Sequence, residues 1–164
     1  MASPKLSKIR GKHLMLFVGT AAGTRKAIAL CTNSTLSLSA ETEDIQTKDD
    51  AMAANPEISY ISWEATSENY YSVGAETVQA TTDMLMSLMI NKTPVYVSFG
   101  QSNNAADGDV PEGGWQDADI SAAQPQYYEG IGLITSLEIA AQNGEYATCN
   151  MTITGKGALT VVTT

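Results

Sequence analysis

Histidine occurs once in this chain of 164 residues, cysteine twice, and only nine residues are basic. One histidine, His13, is too few for the usual zinc sets and leaves no Ser/His/Asp arrangement with support in the sequence; beside Leu14 on an expected strand, it reads as structural. Cys31 and Cys149 both sit in apolar, strand-like runs and read as small buried thiols. A single bridge between them stays open, but two cysteines make no disulfide framework. Neither has metal-ligand spacing with another Cys or His, so no metal and no cofactor are expected. Long hydrophobic runs are absent too. Leu14-Met15-Leu16-Phe17-Val18 is the longest purely apolar run near the start, too short to span a bilayer. Arg25 and Lys26 follow closely, which argues against a secretory signal. Folding in a cytoplasm, with no membrane partner, is the expectation, and the three Asn-x-Ser/Thr sequons carry no weight without a secretory route.

The few basic residues are placed unevenly. The formal net charge is −9, yet residues 1–40 hold Lys5, Lys8, Arg10, Lys12, Arg25 and Lys26 and no acid. Residues 41–164 hold all eighteen acids against Lys48, Lys92 and Lys156. A positive end on a negative body suits like-with-like stacking; a basic tail on an acidic domain is the plainer reading. The acidic excess argues against specific nucleic-acid binding, which needs cationic surface.

The pattern along the chain is mostly that of strands. Residues 1–11 read as a basic arm, and 12–164 as a single domain with long loops at 40–57 and 100–126. His13 to Val18 and Lys26 to Thr32 form an expected hairpin. Thr35, Ser37 and Ser39 alternate with Leu36 and Leu38, a period of two that buries one face. Ile58 to Thr66 repeats it, with Ile61, Trp63 and Ala65 opposite Ser62, Glu64 and Thr66. Val78, Leu85, Leu88 and Met89 follow helical spacing, predicting a helix over residues 75–91 with Glu76 and Lys92 suited to its dipole. The methionines around it read as gap-filling core. Pro94 stops the helix, and Val95 to Phe99 is a strand. After the acidic second loop, strands are expected over 127–140, 145–154 and 159–162, with turns at Asn143-Gly144 and Gly155-Lys156-Gly157. The fold class is mainly β, about eight strands and one helix in one domain.

No set of residues points to catalysis. Gly19 to Gly23 lacks the Lys-Ser/Thr ending of a phosphate loop. Asp107-Gly108-Asp109 does not complete a calcium loop. Glu64 and Glu138 lie on polar strand faces and read as solvated carboxylates, not an acid–base pair. The chain is not expected to be an enzyme.

Taken in order, several segments carry a resemblance. They include Gly11-Lys12-His13-Leu14-Met15-Leu16-Phe17, Ala27-Ile28-Ala29-Leu30-Cys31-Thr32, Thr35-Leu36-Ser37-Leu38-Ser39-Ala40-Glu41-Thr42 and Lys48-Asp49-Asp50. Ile61-Ser62-Trp63-Glu64-Ala65, Leu88-Met89-Ile90 with Thr93-Pro94-Val95, and Tyr128-Glu129-Gly130 follow. Ile134-Thr135-Ser136-Leu137, Asn143-Gly144-Glu145 and Gly155-Lys156-Gly157-Ala158-Leu159 close the series. The ordered set resembles the major tail tube family of siphophages, particularly forms from phages and prophages of gut bacteria. Asn91-Lys92 and the long loop around 103–119 depart from the family pattern.

The resemblance implies a β-sandwich or barrel with one flanking helix, six subunits per ring, and rings stacked into a tube in the virion tail. It implies that four strands per subunit join into a continuous barrel around a lumen that conducts DNA without specific binding. It also implies tail tip, tape-measure and tail terminator proteins as partners, and assembly in the bacterial host cytoplasm. Thr35, Ser37, Ser39, Ser62, Glu64, Thr66, Ser136, Glu138, Thr148, Asn150 and Thr152 are then expected to face the lumen, though the same faces would suit ordinary solvent. Glu41, Glu43, Asp44, Lys48, Asp49 and Asp50, with Lys5, Lys8 and Arg10 of the arm opposite them, are the expected inter-ring contact. Trp63 is expected in the core; Trp115 either anchors an interface or packs over the sandwich edge. The rival readings are the inner tube of a contractile tail or a type VI secretion-like system and, in a different class, a monomeric β-barrel binding or adhesin module.

Overall fold

The computed structural model describes residues 10–49, 53–74, 79–102, 115, 117 and 126–163. Its strands are β1 (Leu14–Gly19), β2 (Lys26–Ile28), β3 (Cys31–Asp44), β4 (Pro56–Tyr70), β5 (Gln79–Ala80), β6 (Val95–Gln101), β7 (Gln126–Ala140) and β8 (Thr148–Thr163). The helix α1 (Thr82–Ile90) lies between β5 and β6. All eight strands belong to one sheet in the order β3-β4-β8-β7-β6-β1-β2-β5, with every pairing antiparallel except β2 with β5.

The sheet is rolled, and the chain itself shows why. β2 and β3 stand near opposite ends of the strand order, yet only Ala29 and Leu30 join them. Three Cα steps reach about 11 Å at most, close to the ~10 Å between stacked sheets. The two ends of the sheet must therefore face each other across one core. Leu16, Val18, Ile28, Trp63, Ala65, Val97, Ile134, Met151 and Ile153 fill that core, and α1 adds Leu85 and Leu88. The long strands β7 and β8 serve both layers: Tyr128–Gly132 pair with β6, while Ile134–Ala140 pair with the first half of β8. A bulge between Ile134 and Ser136 marks the bend.

Several elements differ from the sequence expectation. The strand expected to continue through Thr32 breaks at Ala29-Leu30, where Leu30 takes a φ of 53°. Residues 40–44 and 56–57 are strand, not loop, because Ala40–Asp44 pair with Ile61–Pro56. The true connection is 45–55, with 50–52 outside the described residues. The helix begins at Thr82, because Gln79-Ala80 pair with Ala27-Ile28; Glu76 and Val78 lie outside the described residues. The two last strands are one, since Gly157 (φ 83°) lies within β8 and not in a reversal. Cys31 is exposed and free, whereas Cys149 is buried and free.

Candidate functional site

The register brings the alternating residues together. Thr35 pairs with Thr66, Ser37 with Glu64 and Ser39 with Ser62. Thr66 then pairs with Thr152, and Thr152 with Ser136, so four strands contribute one residue each to a single row. A second row runs Asn33, Glu68, Asn150, Glu138, and Thr148 stands between Tyr70 and Ala140. All eleven residues expected on one face do share it. Thr66, Thr148 and Thr152 are half-buried and the other eight are exposed. The opposite face of the same strands holds buried Trp63, Ala65, Ser67, Asn69, Cys149, Met151 and Ile153.

Hydroxyls cover much of this face. The Thr35 and Thr66 hydroxyls bond each other, and the Thr135 and Thr154 oxygens are 3.0 Å apart. Glu64 and Glu138 are joined by Glu68, which the sequence reading missed because it ended the strand at Thr66. The period of two continues through Glu68 to Tyr70 and was available as a signal. No Lys or Arg occurs in 33–39, 62–68, 134–140 or 148–154, so the face has one sign of charge.

Among the described residues, both flanks of this four-stranded layer lack a strand partner. β3 is an end strand whose one strand neighbour among those residues is β4. On the other side, β6 leaves β7 at Gly132, so among the described residues 133–140 pair only with β8. Unpaired strand edges are templates for another chain.

The residues expected at the inter-ring contact are not gathered in one chain. Glu41, Glu43 and Asp44 are exposed at the far end of β3, and Lys48 and Asp49 are exposed in the connection beyond it. Arg10 is exposed just before a short 3-10 turn at Gly11–His13. Gly11 and Lys12 line a cleft with Thr32 and Asn33, at the other end of β3. Lys5, Lys8 and Asp50 lie outside the described residues.

A third feature was not legible in the sequence. Arg25, whose side chain is 7% exposed, donates to Asp117 at 2.6 Å and Glu129 at 3.2 Å. Ser98 donates to the second Asp117 oxygen at 2.5 Å. Burial pulls the Arg25 pKa down, but the charges and hydrogen bonds of Asp117 and Glu129 outweigh it and the net shift is upward. Two residues away, Trp115 packs with Met15 and Tyr127 over buried Phe17 and Ala27. Of its two expected roles, Trp115 takes the packing one in this chain. The acids at 107, 109, 112 and 119 lie outside the described residues.

Comparison with known proteins bears on these surfaces as a whole. A family model described as "Phage tail tube protein" matches residues 8–161. No curated protein matches the chain. Among solved structures, the tail of an empty gene transfer agent particle, refined with C6 symmetry, is similar at 17% identity and a TM-score of 0.67, over 94% of this chain and 99% of that one. The SPP1 tail tube is similar at 8% identity and a TM-score of 0.66, over 96% and 80%. A sheath–tube complex of an extracellular contractile injection system gives 11%, 0.60, 96% and 93%. At these identities the structures share the fold.

Proposed function

We infer the role of this chain from one premise: it belongs to the phage tail tube protein family. It is a structural subunit of a tail tube and a component of the virion tail. Copies assemble with one another into stacked rings. Six copies per ring is the finer reading, and the layer β3-β4-β8-β7 is the part that would line the lumen. The observation that carries it is the pairing of a one-signed polar face with two open strand edges on the same four strands. Joining the β3 edge of one copy to the 133–140 edge of the next satisfies both sets of backbone groups. It also closes the polar faces into a continuous inner wall.

Glu64, Glu68 and Glu138 would make that wall acidic. Cationic contacts hold DNA by releasing counterions; an anionic, hydroxyl-covered wall offers none, so DNA would slide. The hairpin tip beyond Asp44 would contact the next ring, with the basic residues before Gly11 on the opposite side. Tail tip, tape-measure and terminator proteins would meet the end rings, and assembly would take place in the host cytoplasm. Tubes of contractile systems share this fold, so the fold does not separate the two machines; a sheath gene beside this one would.

Electron microscopy of the purified, concentrated protein tests the reading. Hollow tubes or rings with six-fold averages are expected. A chain that stays monomeric at high concentration, and also when supplied with its tail tip complex, would overturn it.

A further inference from the structure

Charge is a weak means of joining rings. Exposed ion pairs gain little in water and are screened by salt, and Lys48 is the one basic residue of the hairpin 41–57. The apolar residues of that hairpin are more telling. Tyr60 is 60% exposed and pairs with Glu41, and Leu38, Ile58 and Ile61 around it are exposed as well. A two-stranded ribbon uncovered on both faces is marginal in water. These residues contribute little to the single chain.

A second exposed apolar patch stands at the opposite end of the same strand. Tyr146, 86% exposed, meets Tyr70 edge to face with ring centroids 6.0 Å apart. Tyr71, Val73 and Leu30 are exposed beside them, and the Leu30 carbonyl accepts the Tyr70 amide at 3.1 Å. Leu30 holds a left-handed backbone there, with a φ of 53°, a conformation that side chains other than glycine rarely adopt.

We propose that Tyr60 of one copy packs on the Tyr70–Tyr146 pair of the next copy along the tube axis, so that an aromatic contact joins successive rings. Tyr60 and Tyr70 share one face of β4: its register is unbroken from Tyr60 to Glu68 against β3 and from Glu64 to Tyr70 against β8. Ten residues of strand separate them by about 33 Å, so they cannot meet within one chain. Two unlike patches at opposite ends of a subunit make a heterologous contact, which repeats without closing and gives an open stack. Charge runs the same way: Glu41, Glu43, Asp44 and Glu57 flank Tyr60, while Arg10 and Lys12 lie toward the Tyr70 end. Glu68 and Glu145 share that end, so the apolar match carries the contact. The proposal rests on the tail tube reading and names the partner surface of its hairpin.

The test is a pair of cysteines, Tyr60→Cys with Tyr146→Cys, in a Cys31→Ser background. After mild oxidation of assembled tubes, a non-reducing gel is expected to show a ladder running past six copies. Each single-cysteine variant should show none. Tubes without a ladder overturn the contact and leave the tail tube reading standing, and a ladder that stops at six places the contact within a ring and overturns it also. Failure of the wild-type chain to assemble with its tip complex removes both. Should the double variant not fold, Tyr146→Phe against Tyr146→Ser decides. Long tubes from the first and separate rings from the second support the contact; equal tubes from both overturn it.

Discussion

The indole of Trp63 lies directly against Gly155, where an added β-carbon would fall inside the ring's contact distance. Gly130 holds the same ring from β7, with the corresponding position 2.7 Å from Cζ2. The indole N–H donates to the Gly157 carbonyl at 3.2 Å. Bare backbone from two strands thus makes the bed for the largest side chain of the core. Gly155→Ala should cost about 1–3 kcal/mol through overpacking, and Trp63→Ala about 3–5 kcal/mol. Urea denaturation of the unassembled protein measures both. In the Trp63→Ala background the added methyl at 155 should cost much less, since the clash has gone; equal costs in the two backgrounds would contradict the packing argument.

Asp117 gives a second prediction. It ties its segment to the sheet through buried Arg25 and Ser98. Asp117→Ala takes from Arg25 its shortest ion pair, leaving Glu129 and Tyr127 beside it, and should cost about 1–3 kcal/mol. Trp115 should loosen from Phe17 at the same time, moving part of the tryptophan emission to the red. Arg25→Met with Asp117→Leu should recover much of the stability, because it removes both charges together. Denaturation with fluorescence detection reads all three variants.

The face bearing Glu64 and Glu138 was legible because period-two alternation survives in any half-buried strand. Trp63 in the core was legible for the same reason. What escaped detection depends on distant residues. Arg25 and Asp117 are 92 positions apart, and no local pattern joins them. Gly155-Lys156-Gly157 carries strong turn chemistry, yet Trp63 takes the space above Gly155 and the strand runs on through a positive φ at Gly157. Residues 40–44 are acidic and polar enough to read as loop; pairing with β4, and not side-chain burial, makes them strand. Gln79-Ala80 lie in a helical pattern that the edge of β2 overrides.

Glu64→Lys, Glu68→Lys and Glu138→Lys together should leave the monomer stable, since all three side chains are exposed. In assembled virions they should slow DNA release, and the slowing should fade as salt rises and screens the new contacts. Ejection followed by dye release at two salt concentrations checks it. Unchanged ejection would show that this face does not line the channel.

The hairpin tip is separable from the fold by the same geometry that exposes it. Asp44 pairs with Pro56, so replacing residues 45–55 with Asn-Gly should close the ribbon as a two-residue hairpin. The core lies beyond Trp63, away from the tip, and thermal unfolding of the monomer should shift little. Stacking should weaken and not vanish, because Tyr60 stays in place below the shortened tip; lateral pairing through β3 and residues 133–140 should persist, giving shorter tubes mixed with free rings. Normal tubes from this variant would leave the axial contact to Tyr60 and its neighbours alone, and rings with no tubes would place it in the tip and overturn the Tyr60 contact. Failure to form even rings would place the tip in the lateral interface instead.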